Sequence, residues 1–497
     1  MVSVYDKDSV SELAKVLQSF NVEILSTGGT LAYLRQLGIP AKSVEDVTGY
    51  PSILGGRVKT LHPLVFGGIL GRPGHESDRQ DMGGYGVQTI DMVVVDLYPF
   101  EQTLTSGASH AEIIEQIDIG GISLIRAAAK NFEHVFVLPS AQYFDKAAGL
   151  LKNQDGHTSL TDRKTMAAAA MDISSHYDTA IFNYLNQGES NVFKESIRES
   201  ATLRYGENPH QQACFYGNLE DVFEQLGGKP LSYNNLLDVD AAMGLMLEFS
   251  EPGFAIIKHT NPCGAALRNR IEDAWKDALA GDPLSAFGGI LIANRTIGAE
   301  MAETIHELFF EVLIAPDFDQ EALSVLGQKK NRILLRSKPF IAPGARFRSV
   351  LNGVLWQTQD HKNILPDQWR RPTLKKPDKN QENDLLFANT IVKHLKSNAI
   401  ALVKDTMLIG TGTGQTSRVD ALKQAIAKAR AFNHDLEGSV MASDAFFPFP
   451  DCVEIAHKEG IAAVIQPGGS VKDQASVDYC NEAGMAMVFT GNRHFRH

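Results

Sequence analysis

Residues 22–30 read Val-Glu-Ile-Leu-Ser-Thr-Gly-Gly-Thr, and this stretch decides the fold of the first part of the chain. The mostly apolar run 22–25 predicts a strand, and the glycines that follow it end that strand. Helical spacing of apolar residues precedes the run over 10–20 and follows it as far as Gly38. A strand set between two helices is typical of a parallel sheet that is covered by helices.

The same alternation continues outward from this stretch. The continuous apolar run 92–95 predicts a strand buried on both faces, and it ends at Asp96. A second such run, 135–138, follows the helical segment 124–130. We therefore expect residues 1–140 to form a doubly wound α/β domain with a parallel sheet. Residues 141–195 are mainly helical in pattern and are interpreted as a helical connection.

The pattern changes after Leu203, where short polar motifs follow strand-like runs such as 255–257 and 462–465. We assign residues 196–497 to a second domain. A stretch rich in Pro, Lys and Arg within it predicts two related sub-units, about 196–360 and 361–497.

Composition excludes several classes of protein. The chain has 497 residues, and at roughly 150 residues per domain this length predicts about three structural units. Its 47 basic and 59 acidic residues give a net charge of −12, which disfavours nucleic acid as the main partner. The four cysteines lack C-x-x-C spacing, which argues against a disulfide framework or a cysteine zinc site. Without a signal peptide or a long apolar run, the sequence predicts a cytoplasmic protein that has no membrane contact.

Two motifs in the first domain indicate an anion site. Ser26-Thr-Gly-Gly-Thr30 lies between a predicted strand and a helix, where glycines and a helix N-terminus suit a phosphate. A capped turn explains the same residues equally well. Gly55-Gly-Arg-Val-Lys-Thr60 adds two cations, although such a segment is more often a solvated basic turn.

Further along the first domain, Asp118-Ile-Gly-Gly121 precedes a helix that carries Lys130 beside three alanines. Two interpretations of this lysine stay open. Its stem packs while its ammonium remains solvated, or the amine is partly desolvated and transfers protons near neutral pH.

In the second domain, Lys258 and His259 end a buried-looking strand and precede Asn261. A histidine beside a cation at this position suits a general base, while a structural histidine is the alternative. The Gly-rich loop 410–415 is weak evidence for a ligand. The sequence Phe446-Phe-Pro-Phe449 could stack on a flat heterocycle, although such residues are more often core.

The order of these motifs resembles one family. STGGT, GGRVKTLHP, DLYPF, DIGG and RAAAKN are followed by RYGENPHQ, KHTNPCG, DPLSAFGG, GTGQTSR, SDAFFPFPD and a terminal RHFRH. This series, over essentially the whole chain, is similar to the bifunctional purine biosynthesis family. That family combines aminoimidazole-carboxamide ribonucleotide (AICAR) formyltransferase with inosine monophosphate (IMP) cyclohydrolase. The resemblance implies a methylglyoxal-synthase-like domain at the N-terminus and a transformylase of two cytidine-deaminase-like units that lack zinc.

The resemblance also implies roles for residues of the first domain. The nucleotide phosphate and ribose would be held by Lys7, Ser26, Thr27, Gly28, Gly29, Thr30, Arg57, Lys59 and Thr60. The base would be lined by Asp96, Tyr98, Asp118 and Ile119, and Lys130 would be the acid/base for ring closure.

For the second domain the resemblance implies a catalytic pair, Lys258 and His259. AICAR would be bound by Arg204, Tyr205, Gly288, Glu311, Asn398, Arg418, Arg493, Phe495 and His497. The folate would be contacted by Phe446, Asp451, Gly468 and Gly469.

The implied chemistry is formyl transfer from 10-formyltetrahydrofolate, a co-substrate, to AICAR, followed by closure of formylated AICAR (FAICAR) to IMP. The resemblance implies no metal and no tightly bound cofactor. It further implies a homodimer with transformylase sites at the subunit interface.

One position departs from the family pattern. Tyr5 stands where the family has the second serine of Ser-Val-Ser-Asp-Lys, so one candidate phosphate hydroxyl is absent. A second hypothesis is therefore a transformylase whose first domain is weak or silent. A third is a nucleotide-binding scaffold protein, which the presence of Lys130, Lys258 and His259 disfavours.

Overall fold

A computed structural model describes residues 1–186, 188, 191–339 and 341–497. The chain divides into two compact units, Met1–Arg198 and Glu199–His497. The segment 141–195, predicted as a helical connection, lies within the first unit, and its residues 187, 189 and 190 are outside the described part of the chain. Among the described residues, no helix is long and apolar enough to cross a membrane.

The first unit alternates short strands and helices. Its strands are β1 (Val2–Ser3), β2 (Ile24–Ser26), β3 (Ala41–Ser43), β4 (Met92–Val95) and β5 (Phe136–Leu138). Its helices are α1 (Ser11–Ser19), α2 (Gly28–Gln36), α3 (Val44–Thr48), α4 (Pro63–Leu70), α5 (Glu76–Tyr85), α6 (Phe100–Thr105), α7 (His110–Glu115), α8 (Gly120–Lys130), α9 (Phe144–Asn153) and α10 (Leu160–Asn186).

The five strands form a parallel sheet in the order β3-β2-β1-β4-β5. Val93, Val94 and Val95 of β4 are fully buried, as the continuous apolar run predicted. The doubly wound parallel sheet is therefore confirmed. The strand order reverses direction around β1 and β4, and a crevice outside the carboxyl ends of such strands is where open α/β sheets bind ligands.

The second unit is larger. Its strands are β6 (Ser200–Leu203), β7 (Ala213–Tyr216), β8 (Phe223–Gly227), β9 (Gly253–Lys258), β10 (Asn261–Leu267), β11 (Ile290–Ala293), β12 (Val312–Ala315), β13 (Ile333–Ser337), β14 (Ala345–Val350), β15 (Gly353–Thr358), β16 (Ile400–Lys404), β17 (Met407–Gly412), β18 (Val440–Ser443), β19 (Ala463–Gln466) and β20 (Ala486–Phe489). Its helices are α11 (Tyr233–Met246), α12 (Ile271–Gly281), α13 (Pro283–Ala286), α14 (Ala299–Glu307), α15 (Gln320–Leu326), α16 (Lys379–Lys393), α17 (Arg418–Ala431), α18 (Asp451–Lys458) and α19 (Asp473–Glu482).

One 11-stranded sheet contains two copies of the same topology, in the order β20-β19-β18-β16-β17-β10-β9-β11-β12-β13-β8. In each copy a helix leads into an antiparallel hairpin, β9-β10 or β16-β17, and three parallel strands follow. The hairpins of the two copies pair antiparallel, with Ala266 opposite Met407. The sheet therefore has two similar halves, and the sub-unit bounds, about 196–360 and 361–497, stay a prediction.

The antiparallel junction decides which loops meet. The turn after β9 lies beside the start of β11, because Ile257 pairs with Ile290. It also lies at the edge where β17 ends, because β10 and β17 run in opposite directions. The end of β17 is in turn next to the start of β16 and the end of β18, since Ile400 pairs with both Gly412 and Ser443. The β9-β10 turn therefore lies at the same end of the strands as the carboxyl ends of β18 and β19. This end of the second sheet is called its open edge below.

Candidate active sites

The loops after β1 and β4 meet at the switch point of the first sheet. The Tyr5 amide donates to the Asp96 carbonyl over 3.2 Å, and the Asp6 amide donates to the Asp96 carboxylate over 3.2 Å. The same carboxylate accepts from the Ala141 amide. Burial raises the pKa of Asp96, and these amide hydrogen bonds partly offset that effect. Asp96, predicted to line the base, therefore also joins the loops that shape the crevice.

Two lysine side chains converge on the N-terminus of α2. A Cβ added at Gly29 would lie 2.8 Å from Cε of Lys7, and one added at Gly28 would lie 3.5 Å from Nζ of Lys59. Gly28 has a φ of +54°, which favours glycine at the start of this helix. Among the described residues, the Thr27 side chain makes no capping bond to the first amides of α2. Free helix amides and two ammonium groups form an anion-binding arrangement.

The hydroxyl groups of the same motif are used inside the protein. Ser26 Oγ donates to the Val2 carbonyl over 2.8 Å, and Thr30 Oγ1 donates to the Val4 carbonyl over 3.1 Å. Both side chains are buried. Ser26 and Thr30, both predicted phosphate ligands, thus connect the glycine turn to β1 and to the residue that follows it. Their hydroxyl protons are directed at backbone oxygens.

Beside this anion site, aromatic and acidic groups surround a second region. The Tyr5 and Tyr98 rings meet edge to face with centroids 5.7 Å apart, and both side chains are partly exposed. Burial raises the pKa of Tyr98, and the nearby charge of Asp118 adds to this rise. In the sequence, Tyr5 was notable only because it replaces a serine of the family pattern. In the structure its ring packs against Tyr98 and adds a second aromatic side chain to this region.

Asp118 lies at the start of α8. Its carboxylate accepts from the Gly121 amide over 2.6 Å, and burial raises its pKa although amide hydrogen bonds offset part of the shift. A Cβ added at Gly120 would lie 3.2 Å from Oγ1 of the buried Thr60, so Thr60 reaches the same helix end. Ile119 is 56% exposed between them. This region can hold a flat ring and can exchange a proton with it.

Two predicted residues of the first unit lie elsewhere. Arg57 is exposed and forms an ion pair with Glu115. Lys130 is the last residue of α8, and it is exposed. At 1.5 Å per residue, its backbone lies about 15 Å along the helix from Gly120. The exposed Lys130 thus lies at the end of α8 opposite to Asp118, and its acid/base role in ring closure stays a prediction.

In the second unit the Lys258 ammonium donates to the Phe287 carbonyl over 2.7 Å. A Cβ added at Gly288 would lie 3.2 Å from this ammonium, and Gly288 has a φ of +68°. His259 follows in the β9-β10 turn, and its side chain is exposed. Asn261 donates to the His259 carbonyl over 2.8 Å and accepts from the Lys396 amide over 2.9 Å. Asn261 thereby connects the β9-β10 turn to the segment that precedes β16.

Arg418 and Asn398 also lie at this edge. The Arg418 guanidinium donates to Oδ1 of Asn398 over 3.0 Å and to Oδ1 of Asp444 over 2.7 Å. Its Nε donates to Ser443 Oγ over 2.8 Å. The predicted nucleotide ligands Arg418 and Asn398 therefore bond to each other directly, and Arg418 is held by the buried carboxylate of Asp444, which the sequence reasoning missed.

The predicted folate residues follow the neighbouring ends of β18 and β19. Phe446 is 38% exposed, and Asp451 begins α18. Gly468 and Gly469 have φ values of +71° and +99°, and the Gly469 amide donates to Asp473. An aromatic ring, a carboxylate and an exposed glycine turn on one edge suit a planar heterocycle with hydrogen-bonding groups.

Other predicted nucleotide ligands lie on loops of the second unit. The Arg493 guanidinium lies 4.3 Å from the Phe495 ring centroid, and the Phe495 and His497 rings are 5.6 Å apart. The Arg204 guanidinium is 5.4 Å from the Tyr205 ring in the loop after β6. Within the part of the chain that the structure describes, no hydrogen bond or ion pair joins these arginines and aromatic rings to Lys258 or His259. Their placement in the same site as Lys258 and His259 remains a prediction.

Glu311 adjoins a cavity that the sequence reasoning did not identify. Glu311 forms a 2.5 Å ion pair with Lys229. The cavity has a volume of about 310 Å³ and is lined by Lys229, Phe309, Phe310, Glu311, Lys329, Lys330, Asn331 and Arg332. Arg332 is buried and donates to the His306 and Leu308 carbonyls, so its role is structural. The sequence Lys329-Lys-Asn-Arg332 directly before β13 could have indicated this cationic cavity.

The anion-binding arrangement at the switch point of one unit and the Lys258-His259 turn of the other suit an enzyme with two sites. Comparison with known proteins identifies its class. The family model described as AICARFT/IMPCHase bienzyme matches residues 128–428, and the MGS-like domain model matches residues 9–123.

Full-length relatives agree with these matches. The bifunctional purine biosynthesis protein PurH of Bacteroides thetaiotaomicron is 57% identical over 497 residues, covering 100% of this chain and 98% of its own. PurH of Aquifex aeolicus is 46% identical over 508 residues, covering 100% and 99%. A solved structure, the crystal structure of ForH, is 34% identical over 38% of this chain and 97% of its own, with a TM-score of 0.33.

The chain therefore belongs to the bifunctional AICAR formyltransferase and IMP cyclohydrolase family. It is an enzyme of purine biosynthesis with both activities. The family assignment suggested by the order of the sequence motifs is confirmed, and so are the enzymatic function and the MGS-like fold of the first domain.

Proposed function

We propose that the first unit closes the FAICAR ring and that the second transfers the formyl group from 10-formyltetrahydrofolate to AICAR. The observation that carries this division is the presence of one complete set of acid-base and anion-binding groups in each unit. Lys7, Lys59 and Asp118 serve the first, whereas Lys258 and His259 serve the second.

The nucleotide phosphate of FAICAR binds at the N-terminus of α2. Lys7 and Lys59 neutralise its charge, and the helix amides donate to its oxygens. The imidazole ring then extends toward Tyr98 and Asp118, on the neighbouring loop ends of the same crevice.

Lys59→Ala is expected to raise the KM for FAICAR about 10-fold to 100-fold, because one charge-assisted contact to phosphate is lost. Steady-state ring-closure kinetics with FAICAR measure this change. Lys42→Ala is the matched control, since Lys42 is an exposed lysine of the same unit that pairs with Glu23. Equal KM values for the two variants would contradict the phosphate site.

In ring closure the formyl oxygen leaves as water with two protons, one from the formamide nitrogen and one from the carboxamide nitrogen. The carboxamide nitrogen loses its proton as it attacks the formyl carbon. Asp118 is placed to accept the proton, because burial raises its pKa toward the range useful for acid-base work. The Tyr98 hydroxyl can donate a hydrogen bond to the oxygen that becomes negative. The crevice holds the two reacting groups of one molecule together, which lowers the entropic part of the barrier.

Formyl transfer requires a base, because the ring amine of AICAR loses a proton when it attacks the formyl carbon. His259 takes that proton. Lys258 stabilises the oxyanion at the formyl carbon, since an ammonium has three donors and the Phe287 carbonyl uses one of them. Collapse of this intermediate breaks the bond between the formyl carbon and the folate nitrogen, which takes the proton from His259 and leaves as tetrahydrofolate. The cationic cavity beside Glu311 suits the phosphate end of AICAR.

We also propose that the enzyme works as a homodimer with transformylase sites at the interface. The hairpin β14-β15 forms a two-stranded sheet of its own, and such hairpins are marginally stable alone. Arg346 on one face pairs with Asp240, and Arg348 on the same face donates to the carbonyl of His497. The opposite face carries Trp356, which is 58% exposed. A second copy of the chain that covers the Trp356 face would contact the hairpin directly. The other face of the same hairpin contacts His497, a predicted ligand of the transformylase site.

Trp356→Asp is expected to convert the dimer to monomer and to lower transformylase activity at least 10-fold, while ring closure by the first unit is retained. A buried aromatic anchor of an interface is costly to replace by a charge. Analytical ultracentrifugation and both activity assays test this. Leu374→Asp is the control, because Leu374 is 82% exposed in the same unit. A wild-type protein that is fully active as a monomer would overturn the proposal.

A further inference from the structure

The two hairpin turns of the duplicated sheet have the same unusual backbone. In the β9-β10 turn, His259 has a φ of +50° and Thr260 a φ of +63°. In the β16-β17 turn, Asp405 and Thr406 both have a φ of +51°. Two consecutive left-handed residues make a turn that normally takes asparagine or glycine. Because none of these four residues is glycine, each turn needs support from its surroundings.

An aspartate on the preceding helix supplies that support in both copies. Asp238 is the sixth residue of α11, and Asp384 is the sixth residue of α16. Oδ1 of Asp238 accepts from the Thr260 amide over 2.6 Å, and the His259 amide also donates to this carboxylate. Asp384 accepts from the Thr406 amide over 2.6 Å and from the Asp405 amide over 2.9 Å. The chain therefore contains the same carboxylate clamp twice.

The surroundings of the two turns differ. Around the second turn, the Arg268 guanidinium donates to the Asp405 carbonyl over 2.5 Å and to Thr406 Oγ1 over 3.2 Å. Arg268 is itself paired with Asp277, so this turn is closed by a structural network. The first turn presents the exposed His259 to the edge that also carries Asn398 and Arg418. One clamp holds a scaffold turn, and the other holds a candidate general base.

We propose that Asp238 is a positioning residue for formyl transfer, which holds His259 in the left-handed conformation and places a negative charge beside it. This inference rests on the role proposed above for His259. The carboxylate interacts electrostatically with both His259 and Lys258. Its negative charge stabilises the positive charge that develops on the imidazole while His259 takes a proton from AICAR. It also fixes the turn so that this proton transfer needs no backbone rearrangement.

The duplicated clamp provides its own control. Asp238→Ala is expected to lower the kcat of formyl transfer about 100-fold while the KM for AICAR changes less than about 3-fold. Asp384→Ala removes the same two hydrogen bonds from the scaffold turn, and its kcat is expected to stay within about 3-fold of wild type. Asp238→Asn, which keeps an acceptor oxygen and loses the charge, is expected to fall between wild type and Asp238→Ala.

Thermal unfolding of the second unit and ring closure of FAICAR by the first unit are measured on every variant. Similar unfolding midpoints for Asp238→Ala and Asp384→Ala, with a kcat loss in the former only, support the inference. Equal kcat losses in the two variants would show that both clamps are merely structural. If Asp238→Ala does not fold, a wild-type kcat for Asp238→Asn overturns the charge role. Wild-type formyl transfer by His259→Ala would instead refute the proposed role of His259.

Discussion

Replacement of His259 by alanine is expected to lower formyl transfer to AICAR about 1,000-fold and to leave the closure of FAICAR unchanged. General-base catalysis contributes roughly two to four orders of magnitude to a rate. The ring amine of AICAR is a poor nucleophile, so its attack depends on removal of the proton. His259 directly follows Lys258 in the chain, and its exposed side chain belongs to the β9-β10 turn of the duplicated sheet.

Release of tetrahydrofolate from 10-formyltetrahydrofolate in the presence of AICAR measures the first reaction. Formation of IMP from added FAICAR measures the second on the same sample. His361→Ala is the matched control, because His361 is an exposed histidine of the same unit outside the proposed site. If His259→Ala transfers formyl at more than a tenth of the wild-type rate, His259 is not the base.

Asp118→Asn is expected to lower the kcat of ring closure at least 100-fold and to spare formyl transfer. Asparagine keeps an oxygen that can accept from the Gly121 amide, so the start of α8 is retained. It cannot take up the proton of the attacking carboxamide nitrogen. Ring-closure kinetics with purified FAICAR provide the measurement, and circular dichroism confirms the fold.

Lys130→Ala separates this account from the one that the sequence resemblance implied. Since Lys130 is exposed at the opposite end of α8, the variant is expected to close the ring within about 3-fold of the wild-type rate. A loss as large as that of Asp118→Asn would show that Lys130 reaches the reacting atoms. In that case the proton transfer would belong to Lys130, and Asp118 would have a supporting role.

Much of the fold could be predicted because the apolar runs are short, continuous and separated by glycine turns. The runs 92–95 and 135–138 became the buried strands β4 and β5 of a parallel sheet. The same pattern in the second half predicted strands at 255–257 and 462–465, which lie within β9 and β19 apart from residue 462. Periodicity reports which residues are buried, and burial decides which segments become sheet.

The site was harder to predict, because a sequence does not say where a side chain is directed. The hydroxyls of Ser26 and Thr30 have the right chemistry for phosphate, yet they bond to the carbonyls of Val2 and Val4. Lys130 belongs to the same helix as the site but to its far end. Asp238 ends the motif LSYNNLLD, but the motif does not indicate a role for it, because that role depends on a turn that is 22 residues away in the chain.

The central claim is that each unit carries one reaction, and a complementation experiment tests it most directly. His259→Ala and Asp118→Asn proteins are each incubated with AICAR and 10-formyltetrahydrofolate, alone and mixed, and IMP is measured. Asp118→Asn alone is expected to accumulate FAICAR, His259→Ala alone to form neither product, and the mixture to form IMP. Absence of IMP from the mixture, or substantial IMP from His259→Ala alone, would contradict the division of the two reactions between the two units.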